Sequence, residues 1–175
     1  MALAVSDVQV RPLGPPDAAA FRALRLRGFR EHPEAFTTSY EEESLKPLPV
    51  SEARLSQTGR EKFWGAFTQD GKGDLVGMVG LDRDPRRHCQ HKGMVIAMYV
   101  VTEWTGQGLG RALLDAGMVA AKAAGLERLV LTVTRGNQAA EHLYQRTGFA
   151  LFGVEPGATK VNQQLYDKTY MGLVL

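Results

Sequence analysis

Apolar and polar positions alternate from Val8 to Leu13, which predicts a short edge strand with Pro12 near its end. Pro15-Pro16-Asp17 then reads as a stop and an N-cap. Phe21, Leu24 and Gly28 follow at helical spacing, with arginines between them, until Pro33 ends the helix. Thr38 or Ser39 can cap a second helix whose first turn carries Glu41, Glu42 and Glu43. Pro47 and Pro49 break the chain, and a third short helix is expected around Ser51 to Gln57. The period then changes. Phe63 to Thr68 and Leu75 to Leu81 read as apolar strands joined by a Gly- and Asp-rich turn, and a basic loop leads to a third strand, Met94 to Val101. Gly106 to Gly110 opens a long helix that runs to Ala124, where Gly125 stops it. Leu129 to Val133 is a buried strand, and Gly136 or Asn137 begins a helix to about Arg146. Strands from Gly148-Phe149 and from Gln164 to Leu175 close the chain. This order predicts a mixed α/β sheet, α+β in its irregular succession, not a regular βαβ alternation. No repeat or low-complexity segment interrupts it, and a single domain over residues 5–175 is expected.

Composition narrows the function classes. The 175 residues are 44% hydrophobic and 23% charged, an ordinary globular balance. With 21 Lys and Arg against 19 Asp and Glu, the net charge of +2 gives no case for nucleic acid as the main partner. The longest apolar run, Met94 to Val101, is 8 residues, against about 20 for a bilayer span. The N-terminal stretch lacks a basic region and meets Asp7 too early for a signal peptide. Cys89 is the one cysteine, so a reducing, cytoplasmic location is expected. His88, Cys89 and His91 lie together, but no further donor sits nearby to complete a zinc site, and no metal is expected.

The most specific chemistry lies in residues 99 to 114, YVVTEWTGQGLGRALL. A strand, a five-residue turn and glycines at 106, 108 and 110 run into an amphipathic helix. The first amides of a helix lack internal partners and sit at the positive end of its dipole. Glycines let the backbone approach a ligand, so the segment reads as a phosphate or pyrophosphate cradle, with Arg111 placed to add charge. Each amide bond to a charged oxygen contributes about 1.5–3 kcal/mol. A P-loop requires Lys-Ser/Thr after the last glycine, where Arg111-Ala112 stands. A dinucleotide fingerprint requires a third glycine at Arg111 and an acid after the next strand, which ends Thr134-Arg135. A tight turn without a ligand is the remaining alternative.

Thr105-Gly106-Gln107-Gly108-Leu109-Gly110 resembles the Arg/Gln-x-x-Gly-x-Gly/Ala loop of the GNAT superfamily of acetyl-CoA-dependent N-acetyltransferases, with Thr105 departing from the usual Arg or Gln. Residues 137 to 149, NQAAEHLYQRTGF, resemble the family's second motif, in which Ala140, Leu143 and Tyr144 share one helical face. The resemblance covers nearly the whole chain. It implies a splayed mixed sheet of about six to seven strands flanked by about four helices. It implies acetyl-CoA as co-substrate, its pyrophosphate held by the amides of Gly106, Gln107, Gly108, Leu109, Gly110 and Arg111. The exposed backbone of Met98, Tyr99 and Val100 would pair with the pantetheine arm, with Asn137 beside it. It also implies an amine acceptor, and a homodimer is common in the family.

The activity so implied is transfer of acetyl from acetyl-CoA to a primary amine of a small molecule or protein N-terminus by direct attack. A non-catalytic acyl-CoA-binding or regulatory member is the alternative. The amide of Tyr99 or Val100 would polarise the thioester carbonyl. Tyr144 is the candidate general acid. A phenol at about pKa 10 reprotonates a thiolate at about 8.5 with a step uphill by about 2 kcal/mol. The base is less legible. Many relatives carry a glutamate on a splayed strand, but the nearby positions here read Lys92 and Thr132. Glu103 sits in the loop. Glu41 or Glu42, in the arm that forms the acceptor wall in the family, is the candidate base or acceptor-binding group, against a favourable helix start in water. A base acting through water is also open.

Overall fold

The computed structural model describes residues 7–56 and 58–175. Seven strands form one sheet in the order β1-β2-β3-β4-β5-β7-β6. They are β1 (Val8–Pro12), β2 (Glu61–Thr68), β3 (Leu75–Arg83), β4 (Lys92–Val100), β5 (Arg128–Thr134), β6 (Ala150–Val161) and β7 (Gln164–Val174). Every neighbouring pair is antiparallel except β4 and β5. The helices are α1 (Ala18–Glu31), α2 (Tyr40–Ser44), α3 (Leu48–Arg54), α4 (Leu109–Ala123) and α5 (Gln138–Arg146). The mixed, splayed sheet expected from the sequence is the architecture found.

Two local expectations are corrected. Asp17 does not cap α1 through its side chain. It accepts from the Gly14 N–H at 2.9 Å and from Arg11 at 2.7 and 2.9 Å, which fixes a 3-10 turn (Pro15–Asp17) before the helix. The break expected at Pro47 lies between α2 and α3, but the prolines do more than end a helix. They start α3, Pro47 as N-cap and Pro49 in the first turn, where a missing N–H costs nothing. That places the third helix earlier than its expected span, whose end at Gln57 lies outside the described residues, as do residues 5 and 6. Ser39, not Thr38, caps α2.

The core lies between the sheet and helices on both its faces. Met98 and Tyr99 are adjacent on β4, so they point to opposite faces. The Met98 side chain lies against the first turn of α4, while Tyr99 packs on Gly28 of α1. α4 buries Leu109, Leu113 and Leu114, each 1% exposed or less, and each leucine so buried stabilises by about 1.5–3 kcal/mol. α1 buries Phe21 against Phe63 with ring centroids 4.9 Å apart. At the far end of the sheet, β6 and β7 form a hairpin closed by Asn162-Gln163, both at positive φ, as a two-residue turn of the primed type requires.

One feature of the sheet creates the gap in which the candidate site lies. β4 and β5 pair over three residues only, Lys92 with Arg128, Gly93 with Leu129 and Met94 with Val130. Beyond Met94 each strand keeps its other neighbour, β3 or β7, and the two strands part. The parting coincides with a bulge. Ala97 and Met98 together oppose Val79, and Ala97 sits at φ 53°, a strained value for a residue with a Cβ. A bulge bends its strand and increases its twist, which carries β4 away from β5.

Candidate active site

The gap between the strands opens into a cleft of about 360 Å³. β4 contributes Met98, α5 contributes Tyr144 and its N-cap Asn137, and α1 contributes Arg25 and Phe29. Asn137 caps α5, its Oδ1 accepting from the Ala140 N–H at 3.2 Å. This cap fixes the start of a helix whose 3.6-residue period turns Ala140 and Tyr144 to the cleft, while Leu143, expected on the same face, packs on Gly110 of α4. Tyr144 is 6% exposed, and its hydroxyl has no hydrogen-bond partner among the described residues. Burial alone pushes its phenol well above the ordinary tyrosine range, so it holds its proton throughout the neutral range.

The glycine turn stands at the end of β4 as expected. Gly106 and Gly108 lie at φ 74° and 85°, conformations that glycine adopts without strain. Thr102–Trp104 forms a 3-10 turn, and the first hydrogen bond of α4 runs from the Ala112 N–H to the Gly108 carbonyl at 3.1 Å. The N–H groups of residues 106 to 111 therefore have no acceptor among the described residues. Gln107 Nε2 donates to the Glu103 carbonyl at 3.0 Å, leaving its buried Oε1 without a partner among the described residues. A run of six unbonded amides at the positive end of a 15-residue helix fits a pyrophosphate, and the orphaned Gln107 oxygen adds an acceptor for a donor of the same ligand. Gly110 has a different role. A Cβ there would meet Leu143 of α5 at 3.0 Å and Met98 at 3.2 Å, so its bareness lets α4 sit close to both. The Arg111 guanidinium is engaged elsewhere, by Asp115 at 2.8 Å and by the Arg146 carbonyl at 3.2 Å, and ties α4 to the end of α5.

The three β4 residues divide. The Val101 N–H donates to the Val76 carbonyl at 3.0 Å, so Val101 and, two positions back, Tyr99 turn their backbone groups to β3. Val100 between them turns its N–H and C=O toward the gap. The Tyr99 hydroxyl donates to Glu31 at 2.6 Å, and Arg27 bridges Glu31 at 2.6 Å and Glu103 at 2.8 Å. Burial and the Glu31 carboxylate together push the Tyr99 phenol upward. Tyr99 and Glu103 thus tie α1 to the approach of the glycine turn.

The acidic run of α2 separates into three environments. Glu42 closes a capping box, its carboxylate accepting from the Ser39 N–H at 2.8 Å, and that bond holds it below the usual carboxylate range. Glu43 is buried and paired with Arg25 at 3.0 Å and Lys46 at 2.8 Å. The Glu41 carboxylate has no partner among the described residues. Glu41 and Glu42 line a second pocket of about 850 Å³ that shares Phe29, Phe36, Thr37 and Thr38 with the cleft.

Two cleft residues were not singled out from the sequence. Glu61 at the start of β2 is the one carboxylate among the described residues lining the cleft, and Arg54 of α3 holds it through two bonds of 2.5 and 3.0 Å. Lys168 of β7 is 5% exposed, and its Nζ donates to the Glu34 carbonyl and to Thr134 Oγ1, both at 2.8 Å. Burial pulls its pKa down, against the nearby Glu34 charge that raises it. Among the described residues no group of three His, Cys, Asp or Glu side chains could hold a metal ion, and no helix is long and apolar enough to cross a membrane.

A model of the acetyltransferase (GNAT) family matches residues 25–149. The mycothiol acetyltransferase of Propionibacterium freudenreichii subsp. shermanii is 29% identical over 154 residues, 82% of this chain and 48% of that protein. The chain spans about half the length of the mycothiol acetyltransferases it matches. Among solved structures, a GNAT-family acetyltransferase from Streptococcus pneumoniae superposes with a TM-score of 0.86 at 28% identity, over 96% of this chain and 99% of the other. The yncA protein of Salmonella typhimurium, solved with its cofactor acetyl-CoA, superposes with a TM-score of 0.78 at 21% identity, over 97% and 94% of the two chains.

Proposed function

The chain belongs to the GNAT acetyltransferase family, and on that premise we propose that it transfers an acetyl group from acetyl-CoA to a primary amine of a small molecule or protein N-terminus by direct attack. The observation that carries this reading is the run of unbonded amides at residues 106 to 111, set at the mouth of a gap where two parallel strands part. Acetyl-CoA, when bound, supplies an activated thioester. The chain's own groups do the rest. The amides of Gly106, Gln107, Gly108, Leu109, Gly110 and Arg111 hold the pyrophosphate, and the N–H and C=O of Val100 offer strand-like bonds to the arm that enters the gap, beside Met98 and Asn137. The Val100 N–H is the better-directed donor to a developing oxyanion, because the Tyr99 amide faces β3.

Tyr144 acts as general acid, its Oη proton passing to the departing sulfur. Its raised pKa keeps that proton in place through the neutral range and makes its transfer to the thiolate steeper than the step of about 2 kcal/mol for an unshifted phenol, so the transfer is driven by the collapse of the intermediate rather than by the acidity of Tyr144. The acceptor enters from the α1–α2 side, where Glu41 faces the larger pocket with an uncommitted carboxylate and Glu42 borders it. In this reading Glu41 attracts the amine or takes its proton, the latter through water.

The test is incubation of the pure protein with acetyl-CoA and a panel of primary amines, with free thiol and acetylated amine both measured. Amine-dependent thiol release together with acetylated product supports the reading. Tight acetyl-CoA binding without product from any amine overturns the catalytic part of it.

A further inference from the structure

Among the described residues three cations line the cleft, Arg25, Arg54 and Lys168, against one carboxylate, Glu61. Two of them are already neutralised. Arg25 pairs with Glu43 and Arg54 with Glu61. Lys168 has no carboxylate within ion-pair distance among the described residues. Its two hydrogen bonds go to neutral oxygens, the Glu34 carbonyl and Thr134 Oγ1. The Glu34 carboxylate, whose charge acts on Lys168, lies 3.7 Å from His32 Nδ1. An ammonium group has three N–H donors, so one of the three is uncommitted. A buried, uncompensated ammonium is unfavourable unless something in the site balances it.

The direction of the side chain is also fixed. Thr169, next on β7, reaches Glu141 of α5 at 3.4 Å. Neighbouring strand residues point to opposite faces, so Lys168 lies on the other face, beneath the Glu34 carbonyl and the α1–α2 connection. This is the side from which the acceptor enters.

We propose that Lys168 is the anchor for an oxyanion carried by the acceptor, so that the substrate is an amine bearing a carboxylate or phosphonate rather than a simple polyamine. The proposal rests on the acetyl-transfer reading and deepens it. The unpartnered ammonium receives the oxyanion on the α1–α2 face of the gap. Glu34 O and Thr134 Oγ1 hold the lysine in place for it. The acceptor's amine then extends toward the gap that Tyr144 lines.

The experiment uses the twenty proteinogenic L-amino acids, their α-carboxamides, and the aminoalkylphosphonates of the same carbon skeletons. In the wild type, kcat/KM for at least one acid or phosphonate should exceed that of its neutral counterpart by about 10- to 100-fold, the scale of one hydrogen bond to a charged group. Lys168→Gln keeps a donor for the Glu34 carbonyl and removes the charge. It should erase that preference, chiefly through KM, with a markedly smaller loss on the carboxamides than on the acids. Lys168→Arg should restore part of it. Calorimetry of the same compounds against protein loaded with coenzyme A reads binding without chemistry. Lys168-dependent binding of an acid with no acetyl transfer would sustain the anchor and sink the transferase reading. Acetyl transfer to neutral amines as efficient as to acids, or equal losses for both in Lys168→Gln with an unchanged melting temperature, would overturn the anchor alone.

Discussion

Arg25→Met would leave Glu43 buried with one partner fewer, and the structure sets the size of the effect. Both side chains are nearly sealed, 7% exposed for Arg25 and 8% for Glu43. Removing one partner of such a pair costs about 3–5 kcal/mol, because the remaining charge stays desolvated. Lys46 still reaches Glu43 at 2.8 Å from a half-exposed position, so the low end, about 3 kcal/mol, applies here. For a domain of this size that is a fall in Tm of about 6–12 °C. The pH dependence adds a sharper signature. Burial raises the Glu43 carboxyl, but the Lys46 bond and the Arg25 charge outweigh it, and the net shift is downward. A depressed carboxyl stabilises the fold above its unfolded pKa of about 4.3, and that contribution is lost as pH falls through the folded value. Arg25→Met weakens the depression. Its deficit against wild type should therefore be full at pH 7 and should narrow below about pH 4, where Glu43 takes up a proton. Differential scanning calorimetry at both pH values is the assay. The double variant Arg25→Met/Glu43→Met should recover to within about 1 kcal/mol of wild type, since no orphan charge remains. A single-variant Tm within 2 °C of wild type at pH 7, or a deficit independent of pH, would refute the reasoning.

Gly108→Glu should abolish acetyl-CoA binding by calorimetry while Gly108→Ala, which carries the positive-φ strain of about 1 kcal/mol without the charge, retains most of it. Tyr144→Phe keeps the ring and its packing against Phe149, so Tm should stay within a few degrees while kcat falls by about 10²-fold or more at unchanged acetyl-CoA affinity. Glu41→Gln should remove the acidic limb of the kcat/KM profile if Glu41 is the base, or raise the acceptor's KM alone if it only attracts the amine. Glu42→Ala should instead lower Tm by removing the capping box, and wild-type kinetics in both variants would exclude Glu41 and Glu42 from the reaction.

What was legible in the sequence is what repeats locally. The glycine turn and the Asn137 helix carry their information in contiguous residues, so spacing alone puts Gly106 and Gly108 in the turn before α4 and Tyr144 on α5. The prolines at 47 and 49 mark the break after α2 but hide the start of α3 at Leu48, because the same ring that ends one helix also starts the next. The parting of β4 from β5 left no local mark, since Ala97 is an unremarkable residue to hold a positive φ.

The charge of the cleft was illegible for a different reason. Its lining cations come from α1, α3 and β7, at positions 25, 54 and 168, and its one carboxylate from the start of β2. None of these is distinctive in its own neighbourhood. The net charge of the whole chain is +2, and the conspicuous acids at 41 to 43 suggested a site that draws cations. Folding reverses that sign at the cleft itself. Glu43 is turned inward to neutralise Arg25, Glu42 is consumed by the Ser39 cap, and Glu41 lies in the adjoining pocket. The acids that look available in the sequence are largely committed to building α2 and holding it against α1, while an inconspicuous lysine in the last strand is buried with no carboxylate at ion-pair distance among the described residues. An acceptor that is anionic at one end and an amine at the other meets both halves of this arrangement, with the oxyanion on Lys168 and the amine drawn to the gap where Tyr144 and the Val100 N–H wait.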